Sequence, residues 1–289
     1  MMSDISSVVR ALGGYWKNGQ GQAPCPICQP EQRPDQNALS FNIKEGKLLL
    51  HCFKSGCEFT DLLDVLQFSE PETCENLKPR WCEVGAPSFT ASDNVKRARA
   101  IWRNARPIKG TLAESYLRNR GITCDLPSSL RFMPNLFHAP SAQHLPAMVA
   151  NVQPVGGLHR TFLNGQGGRL VCSAKMMLGS CAGGAVRLSD GRDKLVVCEG
   201  IETGLSLMSG MLSGSSVVWS CLSTSGMKSL RLPQGFRKLV IATDGDPAGG
   251  NAGQVLMRRA MALGWEVSIL PAPCGKDWND VLMLRGGAQ

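Results

Sequence analysis

The chain has 289 residues, of which 43% are hydrophobic and 19% charged, which is the composition of a folded protein with room for more than one domain. It has no apolar run long enough to span a bilayer and no secretory signal pattern, so we expect a cytoplasmic protein without a membrane partner, whose twelve cysteines are thiols or metal ligands. The formal charge of +8 suits an anionic partner, since contacts of Lys and Arg with phosphates supply most non-specific nucleic-acid affinity.

The hydrophobic pattern predicts a small β-rich module first. A short helix over residues 5–12 precedes two strands within 39–52, whose connecting residues have hairpin-turn chemistry, and a helix over 59–68 follows. Periodicity then fades among recurrent prolines. This predicts a domain over residues 1–70 and a linker over 71–97.

Two pairs of cysteines in this module have the spacing of metal ligands. The pairs are Cys25 with Cys28, and Cys52 with Cys57. Structural zinc takes four soft ligands in a tetrahedron, and two short pairs brought together by a hairpin supply them. The pattern predicts a zinc knuckle, in which His51 is an alternative to Cys52. The remaining cysteines lack this pairing and are interpreted as core or linker thiols.

The middle of the chain is basic and then β-rich. A helix over 95–106 carries five Lys or Arg residues around Trp102, a second helix covers 113–120, and meandering strands lie within 145–175. Trp102 has two interpretations: it stacks on a base of a single strand that the helix tracks, or it packs in the core beneath solvated arginines.

Strands and helices alternate from residue 194 onward, which predicts a mostly parallel sheet with helices on its faces. The predicted strands are 194–198, 216–221, 238–243 and 265–270. The predicted helices are 201–209, 248–263 and 277–285.

Three carboxylates follow two of these strands directly. Glu199 comes after the first strand, and Asp244 and Asp246 come after the third. In an open parallel sheet the active site lies beyond the carboxyl ends of the strands, so these side chains are expected at one edge. Converging carboxylates disfavour one another's ionisation and call for a hard cation, Mg²⁺ or Mn²⁺.

These features together resemble the zinc-ribbon/TOPRIM DNA primases of phages, plasmids and integrated mobile elements. The resemblance covers nearly the whole chain and rests on the cysteine pairs, the Glu-Gly and Asp-x-Asp motifs after strands, and several shorter segments. The segments are Trp102, Gly110-Thr111, Tyr116-Leu117, Arg120-Gly121-Ile122, His159-Arg160-Thr161, Ala185-Val186-Arg187-Leu188, Glu199-Gly200-Ile201-Glu202-Thr203 and Lys276-Asp277-Trp278-Asn279-Asp280.

The resemblance implies a fold class of α/β: a small antiparallel zinc ribbon, an α+β primase core over 98–190, and a TOPRIM parallel sheet over 191–289. It also implies an RNA primase that uses structural Zn²⁺ and catalytic Mg²⁺ or Mn²⁺ to join ribonucleoside triphosphates on single-stranded DNA. By this match Asp277 is a further metal ligand and Asp280 a possible one. The sequence contains no Gly-x4-Gly-Lys-Ser/Thr loop, so a separate replicative helicase is the expected partner.

Four further residues are candidates to contact template or triphosphate: Arg160, Lys175, Arg187 and His159. The three cations have solvated surface positions as their alternative, and His159 has a buried structural role.

Two other functions compete with the primase. A TOPRIM nuclease would use the same carboxylates with a water nucleophile, whereas a strand-passage enzyme would need a nucleophilic tyrosine, and neither Tyr15 nor Tyr116 has such a setting. A non-catalytic zinc-bearing DNA-binding replication factor would have no need of the acidic residues.

Overall fold

The structure is a computed structural model. It describes residues 5–17, 19–33, 36–44, 47–54, 57, 59–66, 90–170, 174–191, 193–212 and 214–286. The chain divides into two compact units, the first built on residues 1–88 with short segments at 139–142 and 171–174, and the second on the rest. The predicted linker falls mostly on residues outside the described ranges. Among the described residues, no helix is long and apolar enough to cross a membrane.

The first unit is an antiparallel sheet flanked by two helices. Its elements are α1 (Ile5–Ala11), β1 (Tyr15–Lys17), β2 (Gln20–Ala23), β3 (Leu39–Lys44), β4 (Lys47–Cys52) and α2 (Phe59–Val65). The strands are ordered β1-β2-β3-β4, each antiparallel to its neighbour. Phe41 and Leu39 of β3 are buried together with Val9 of α1 and Leu62 of α2, so both helices close one face of the sheet.

The second unit begins with a five-stranded antiparallel sheet and two helices. Its elements are α3 (Ala91–Asn104), β5 (Arg106–Pro107), α4 (Leu112–Asn119), β6 (Leu130–His138), β7 (Gln143–Val152), β8 (Gly157–Phe162) and β9 (Lys175–Leu178). The strands are ordered β5-β6-β7-β8-β9.

Alternation along the central strands gives this sheet two apolar faces. On β7, Ala147 and Val149 pack with Ala98 of α3, whereas Met148 and Ala150 belong to a larger core that includes α4 and the parallel sheet. Successive side chains of a strand point to opposite faces, so the sheet is a middle layer.

A five-stranded, mostly parallel sheet completes the second unit. Its elements are β10 (Val186–Arg187), β11 (Lys194–Cys198), α5 (Ile201–Met208), β12 (Ser216–Ser220), α6 (Thr224–Ser229), β13 (Lys238–Thr243), α7 (Pro247–Ala262), β14 (Glu266–Pro271) and α8 (Trp278–Gly286). The order is β10-β12-β11-β13-β14, with β10 antiparallel at one edge. Helix α5 contacts α8 and α6 contacts α7, which indicates one helix pair on each face. In this strand order the direction of winding reverses between β11 and β13, the place where open α/β sheets bind ligands.

The predicted elements of the parallel sheet are confirmed to within two residues at each end. Helix α3 begins at Ala91 rather than at 95, because Thr90 and Asp93 form a capping box ahead of it. Helix α6 was not predicted, nor were strands β1, β2, β5, β6, β9 and β10. All of these except β6 are too short to show a hydrophobic period.

Candidate functional site

Glu199 and Asp244 follow neighbouring parallel strands. Strands β11 and β13 are in register, with Cys198 opposite Ala242, so both carboxylates leave the same edge of the sheet. Each is partly buried. Glu199 is anchored through its own carbonyl, which accepts a hydrogen bond from Ser220 Oγ at 3.1 Å.

Backbone hydrogen bonds between two loops bring the C-terminal acidic motif to this edge. Gly245 N donates to Lys276 O and Gly275 N donates to Gly245 O, both at 2.9 Å. A Cβ at Gly245 would lie 2.0 Å from Pro273 O, so only glycine permits this approach. The loops after β13 and β14 are therefore fastened together, which places Asp277 near Asp244.

Two of the acidic residues also begin helices. Asp246 caps α7, its Oδ1 accepting from Gly249 N at 2.6 Å. Asp277 Oδ1 accepts from Asp280 N at 2.8 Å, and Asp280 Oδ2 accepts from Asp277 N at 3.0 Å. Asp277 thus caps the start of α8, and this orients its carboxylate at the sheet edge.

Asp244 is the carboxyl group of this edge whose surroundings clearly raise its pKa. Burial raises its pKa to about 7, together with the negative charges of Asp277 and Asp246, while Lys175 and a hydrogen bond from Thr203 oppose the shift. Its Oδ1 is buried and has no hydrogen-bond partner among the residues that the structure describes. A buried, unpaired carboxylate oxygen next to two other carboxylates is where a bound cation would relieve both burial and repulsion.

The spacing of the carboxylates is wider than that of a closed metal cage. Within the described ranges, only the cysteine cluster has three or more donor atoms that all lie within 4.8 Å of one another. Magnesium usually keeps several waters and binds proteins through one or two carboxylates. The acidic edge fits that mode of binding.

An ion pair between the buried Glu202 and the partly exposed Lys175 adjoins this edge, and no sequence pattern predicted it. Glu202, on the first turn of α5, accepts from Lys175 Nζ at 2.9 Å and from the Tyr116 hydroxyl at 2.7 Å. Burial alone would raise the pKa of Glu202, but the charge of Lys175 and these hydrogen bonds hold it well below its usual value. Glu202 is therefore an ionised carboxylate within the core. The sequence signal for this role was the position of Glu202, three residues after Glu199 and on the buried side of an almost wholly buried helix.

His159 lies beside this ion pair and is neutral. Burial, with the positive charge of Lys175, lowers the pKa of His159 to about 3. Its Nδ1 is buried with no hydrogen-bond partner. A buried neutral imidazole can exchange hydrogen bonds but carries no charge for a phosphate.

The other two predicted phosphate contacts lie elsewhere. Arg160 is on the α3 side of the antiparallel sheet, where its guanidinium donates to Met177 O at 2.9 Å and lies 5.9 Å from the ring centre of Phe162. Burial, with the charge of Arg97, lowers its pKa to about 10. Arg187, on β10, stacks over Trp219 at 5.0 Å. Of the four candidates, Lys175 is the one whose charge acts on Asp244, and His159 lies beside Lys175 and Glu202.

The four predicted cysteines do form one cluster in the first unit. All four sulfurs lie within 4.8 Å of one another; Cys25 Sγ is 3.8 Å from Cys57 Sγ, and Cys28 Sγ is 3.4 Å from Cys52 Sγ. Burial and hydrogen bonding to Cys52 raise the pKa of Cys57 to about 12. Crowded thiols of this kind become thiolates only when a cation neutralises them, which fits a tetrahedral metal site.

Two neighbours define the cluster. The side-chain carbonyl of Gln29 accepts from Cys25 N at 3.1 Å and from Ala38 N at 3.0 Å, and so fastens the first knuckle to the start of β3. His51 is exposed, and its ring lies against Phe53 at 4.5 Å. Cys52 is therefore the residue of β4 whose side chain lies in the cluster, and the His51 ring does not belong to it.

Two family models match the chain. Residues 194–288 match the Toprim domain, and residues 92–188 match a domain of unknown function (DUF7146). The first match coincides with the parallel sheet and its acidic edge. A search of the curated proteins found no match.

Solved primase structures resemble the chain at low identity. A DNA primase domain from Pseudomonas aeruginosa is 15% identical over 66% of this chain and 74% of its own, with a TM-score of 0.43. The zinc-binding and RNA polymerase domains of the Aquifex aeolicus primase are 15% identical over 100% of this chain and 84% of their own, with a TM-score of 0.43. The primase fragment of the bacteriophage T7 primase-helicase protein is 13% identical over 92% of this chain and 95% of its own, with a TM-score of 0.39.

The second unit ends in a Toprim domain with its acidic residues at the sheet edge, and the first unit carries a four-cysteine cluster on an antiparallel sheet. With these two parts in this order, the chain has the arrangement to which the sequence patterns pointed, a cysteine-rich sheet ahead of a Toprim domain.

Proposed function

We propose that this protein is a DNA-dependent RNA primase that makes short primers on single-stranded DNA by metal-dependent nucleotidyl transfer. The observation that carries the proposal is Asp244, whose unpaired buried oxygen lies beside two further carboxylates at the winding reversal of a Toprim sheet. The replication of a phage or mobile element is the context that the sequence resemblance favours.

Asp244, Asp246 and Asp277 are the residues that would hold Mg²⁺ or Mn²⁺, with Glu199 as a further ligand or a proton acceptor. The bound ion would supply charge neutralisation for an attacking 3'-hydroxyl, an α-phosphate and a departing pyrophosphate. The chain itself keeps the acidic edge rigid, because the loops after β13 and β14 share hydrogen bonds and both helix caps fix carboxylate rotamers. Such preorganisation is most of what a phosphoryl-transfer enzyme contributes.

Lys175 is the cation placed to attract the triphosphate. It is 38% exposed at the side chain, it is paired with Glu202, and its charge is felt at Asp244. His159, neutral beside it, would orient rather than neutralise. Arg187 and Arg160 remain candidates for contacts with the template strand.

The cysteine cluster would hold Zn²⁺ as a structural ion, and the ribbon would present the template start site. A replicative helicase is the expected partner. Both the structural zinc ion and the presentation of the template start site would use residues of the first unit alone.

The test is primer synthesis by the full chain on single-stranded DNA of mixed sequence, with four ribonucleotides and Mg²⁺ or Mn²⁺. Asp244→Asn is the variant, and Asp190→Asn, an exposed aspartate outside the acidic edge, is the matched control. Short products from wild type and control but not from Asp244→Asn are expected. Shortened template without products would show a nuclease instead, and a bound but unchanged template would show a binding protein.

A further inference from the structure

A basic cleft lies on the α3 side of the second unit, between that helix and the turn that joins β7 to β8. Its volume is about 560 Å³. Its lining comprises Lys96, Ala98, Arg99, Trp102 and Arg103 from α3 and residues 151–154, 156 and 157 from the turn. None of the described residues that line it is a carboxylate. Lys175 and His159, the strand residues beside Glu202, lie on the opposite face of the antiparallel sheet.

The cleft has cations that nothing in the described part of the chain neutralises. Arg99 and Arg103 are exposed, and neither forms a hydrogen bond or ion pair there. The Arg99 guanidinium lies over Gly156, since a Cβ on that glycine would be 3.7 Å from Nη2. Lys96 contacts Asp93 at 3.7 Å, but that pair is solvent-exposed and weak. The charge of the cleft is therefore available to an anion.

The spacing of the cations favours a chain of phosphates over a single one. Lys96, Arg99 and Arg103 occupy one side of α3 at intervals of three and four residues. At a rise of 1.5 Å per residue, the first and last are about 10 Å apart along the helix. That distance spans more than one phosphate of a nucleic-acid strand.

Trp102 supplies an aromatic surface in the same place. One side of its ring is covered by the Arg131 guanidinium at 4.4 Å, and its carbonyl accepts from Arg131 Nη1 at 3.0 Å. The side chain is only partly buried, and it also lines the cleft. Trp102 thus packs on the core, which is one of the two interpretations given above. Part of its side chain also faces the cleft. Cations beside an aromatic ring are the usual composition of a single-strand site.

We propose that this cleft binds single-stranded nucleic acid, with backbone phosphates on Arg99 and Arg103 and a base against Trp102. It is a second contact for the strand, separate from the acidic edge. The inference rests on the proposed function in one respect, namely that the strand held there is the template.

The test is binding of a fluorescent oligodeoxythymidine to the full chain, measured by anisotropy over a series of salt concentrations. Arg99→Gln/Arg103→Gln should bind about ten-fold more weakly, and its log–log salt dependence should be shallower by about 1.4, since each phosphate contact contributes about 0.7 for single strands. Arg99→Lys/Arg103→Lys keeps the charge and should retain most of the affinity.

Arg258→Gln/Arg285→Gln removes two exposed cations from α7 and α8 and is the matched control. It should leave both affinity and salt dependence as in wild type, and circular dichroism should show all three variants folded. Equal affinity and slope for Arg99→Gln/Arg103→Gln and wild type would overturn the inference. So would an equal loss in the control, because binding would then follow net charge rather than the cleft.

Primer synthesis separates the two proposals. If the inference holds, Arg99→Gln/Arg103→Gln should raise the KM for template about ten-fold and leave kcat at saturating template unchanged. A wild-type protein that binds the strand through this cleft but makes no primer would refute the proposed function alone. Unchanged template KM with normal synthesis would refute the cleft alone.

Discussion

Lys175 Nζ lies 2.9 Å from Glu202 Oε2, and this contact joins the last strand of the antiparallel sheet to the first helix of the Toprim domain. Tyr116, from α4, donates to the other oxygen of the same carboxylate. One ionised side chain therefore holds three elements together immediately behind Glu199. The pair sets the position of Lys175, the candidate phosphate-binding cation whose charge acts on Asp244.

Replacing Glu202 by Gln should loosen this junction. The amide still accepts from Tyr116, but Lys175 loses its counter-charge. The free energy of unfolding should therefore fall by between about 1 and 3 kcal/mol. This is less than for a fully buried pair, because the lysine side chain is partly exposed. Primer synthesis should fall roughly ten-fold, with the larger effect on kcat, because a displaced positioning group affects the reacting geometry. Urea denaturation and steady-state kinetics measure the two effects.

Glu266→Gln breaks an exposed pair, Glu266 with Lys238 at 3.9 Å, and is the control for Glu202→Gln. It should change neither stability nor synthesis. An equally small effect of Glu202→Gln would mean that Lys175 does not depend on the buried carboxylate.

Asp244→Asn should stabilise the protein in the absence of divalent cations. The folded state keeps a proton on Asp244 up to a pKa of about 7, whereas the unfolded state releases it near 3.8. The unfolded state therefore binds fewer protons between these values, and wild-type stability falls as pH rises through that window. The variant lacks this loss, so its advantage should grow from pH 4 to pH 7 and stay constant above.

Thermal unfolding in EDTA across pH 4 to 8 measures this advantage, at roughly 2–4 °C for each kcal/mol. Asp190→Asn should follow the wild-type curve. Added Mg²⁺ should raise the melting temperature of wild type but not of Asp244→Asn. An Asp244→Asn protein that is less stable than wild type at pH 7 in EDTA would contradict the assigned burial cost.

Cys28→Ser should remove zinc from the first unit. Loss of one of four ligands lowers affinity and couples to unfolding of the small sheet, because its core is limited. Metal analysis should fall from about one zinc per chain to nearly none, whereas Cys274→Ser, which alters an exposed thiol in the second unit, should keep it. Limited proteolysis should then cleave the first unit and spare the Toprim sheet; retained zinc in Cys28→Ser would exclude the four-thiol site.

Gly245→Ala should disturb the acidic edge through its loop. The added Cβ would lie 2.0 Å from Pro273 O, so the hydrogen bonds that fasten the two loops must shift, and both stability and synthesis should fall. Gly250→Ala is the matched change: it lies on α7 with nothing within 4 Å of the new Cβ, and alanine there should stabilise by about 0.5–1 kcal/mol. Similar stabilities of the two variants, measured by denaturation, would contradict the close approach.

Local sequence patterns predicted those elements of the fold whose apolar residues or cysteines recur at short, regular spacings. Strands β11 and β13 of the Toprim sheet are continuous apolar runs that end just before Glu199 and Asp244. Both strands have the predicted bounds. The cysteine pairs predicted their cluster for a similar reason, because a hairpin is a local structure. Helix α3 was placed too late, since its capping box lies in a segment of weak periodicity.

Long-range pairing could not be predicted in the same way. Glu202 meets Tyr116 across 86 residues, and nothing in either local pattern specifies that contact. Arg160 and His159 are adjacent in a motif, yet strand alternation sends them to opposite faces, so only His159 lies beside the Lys175–Glu202 pair. The position of Asp277 depends on hydrogen bonds between two loops rather than on its own helix.

The strand order has a consequence for how this chain tolerates change. Between Glu199 and Asp244 the chain leaves β11, forms β12 on one side, and returns through α6 to β13 on the other. The two carboxylates are thus held by direct pairing of β11 with β13, and not by the length of the excursion between them. Extra residues in the exposed turn around Gly235 would lengthen that excursion while both carboxylates stay on the same two strands.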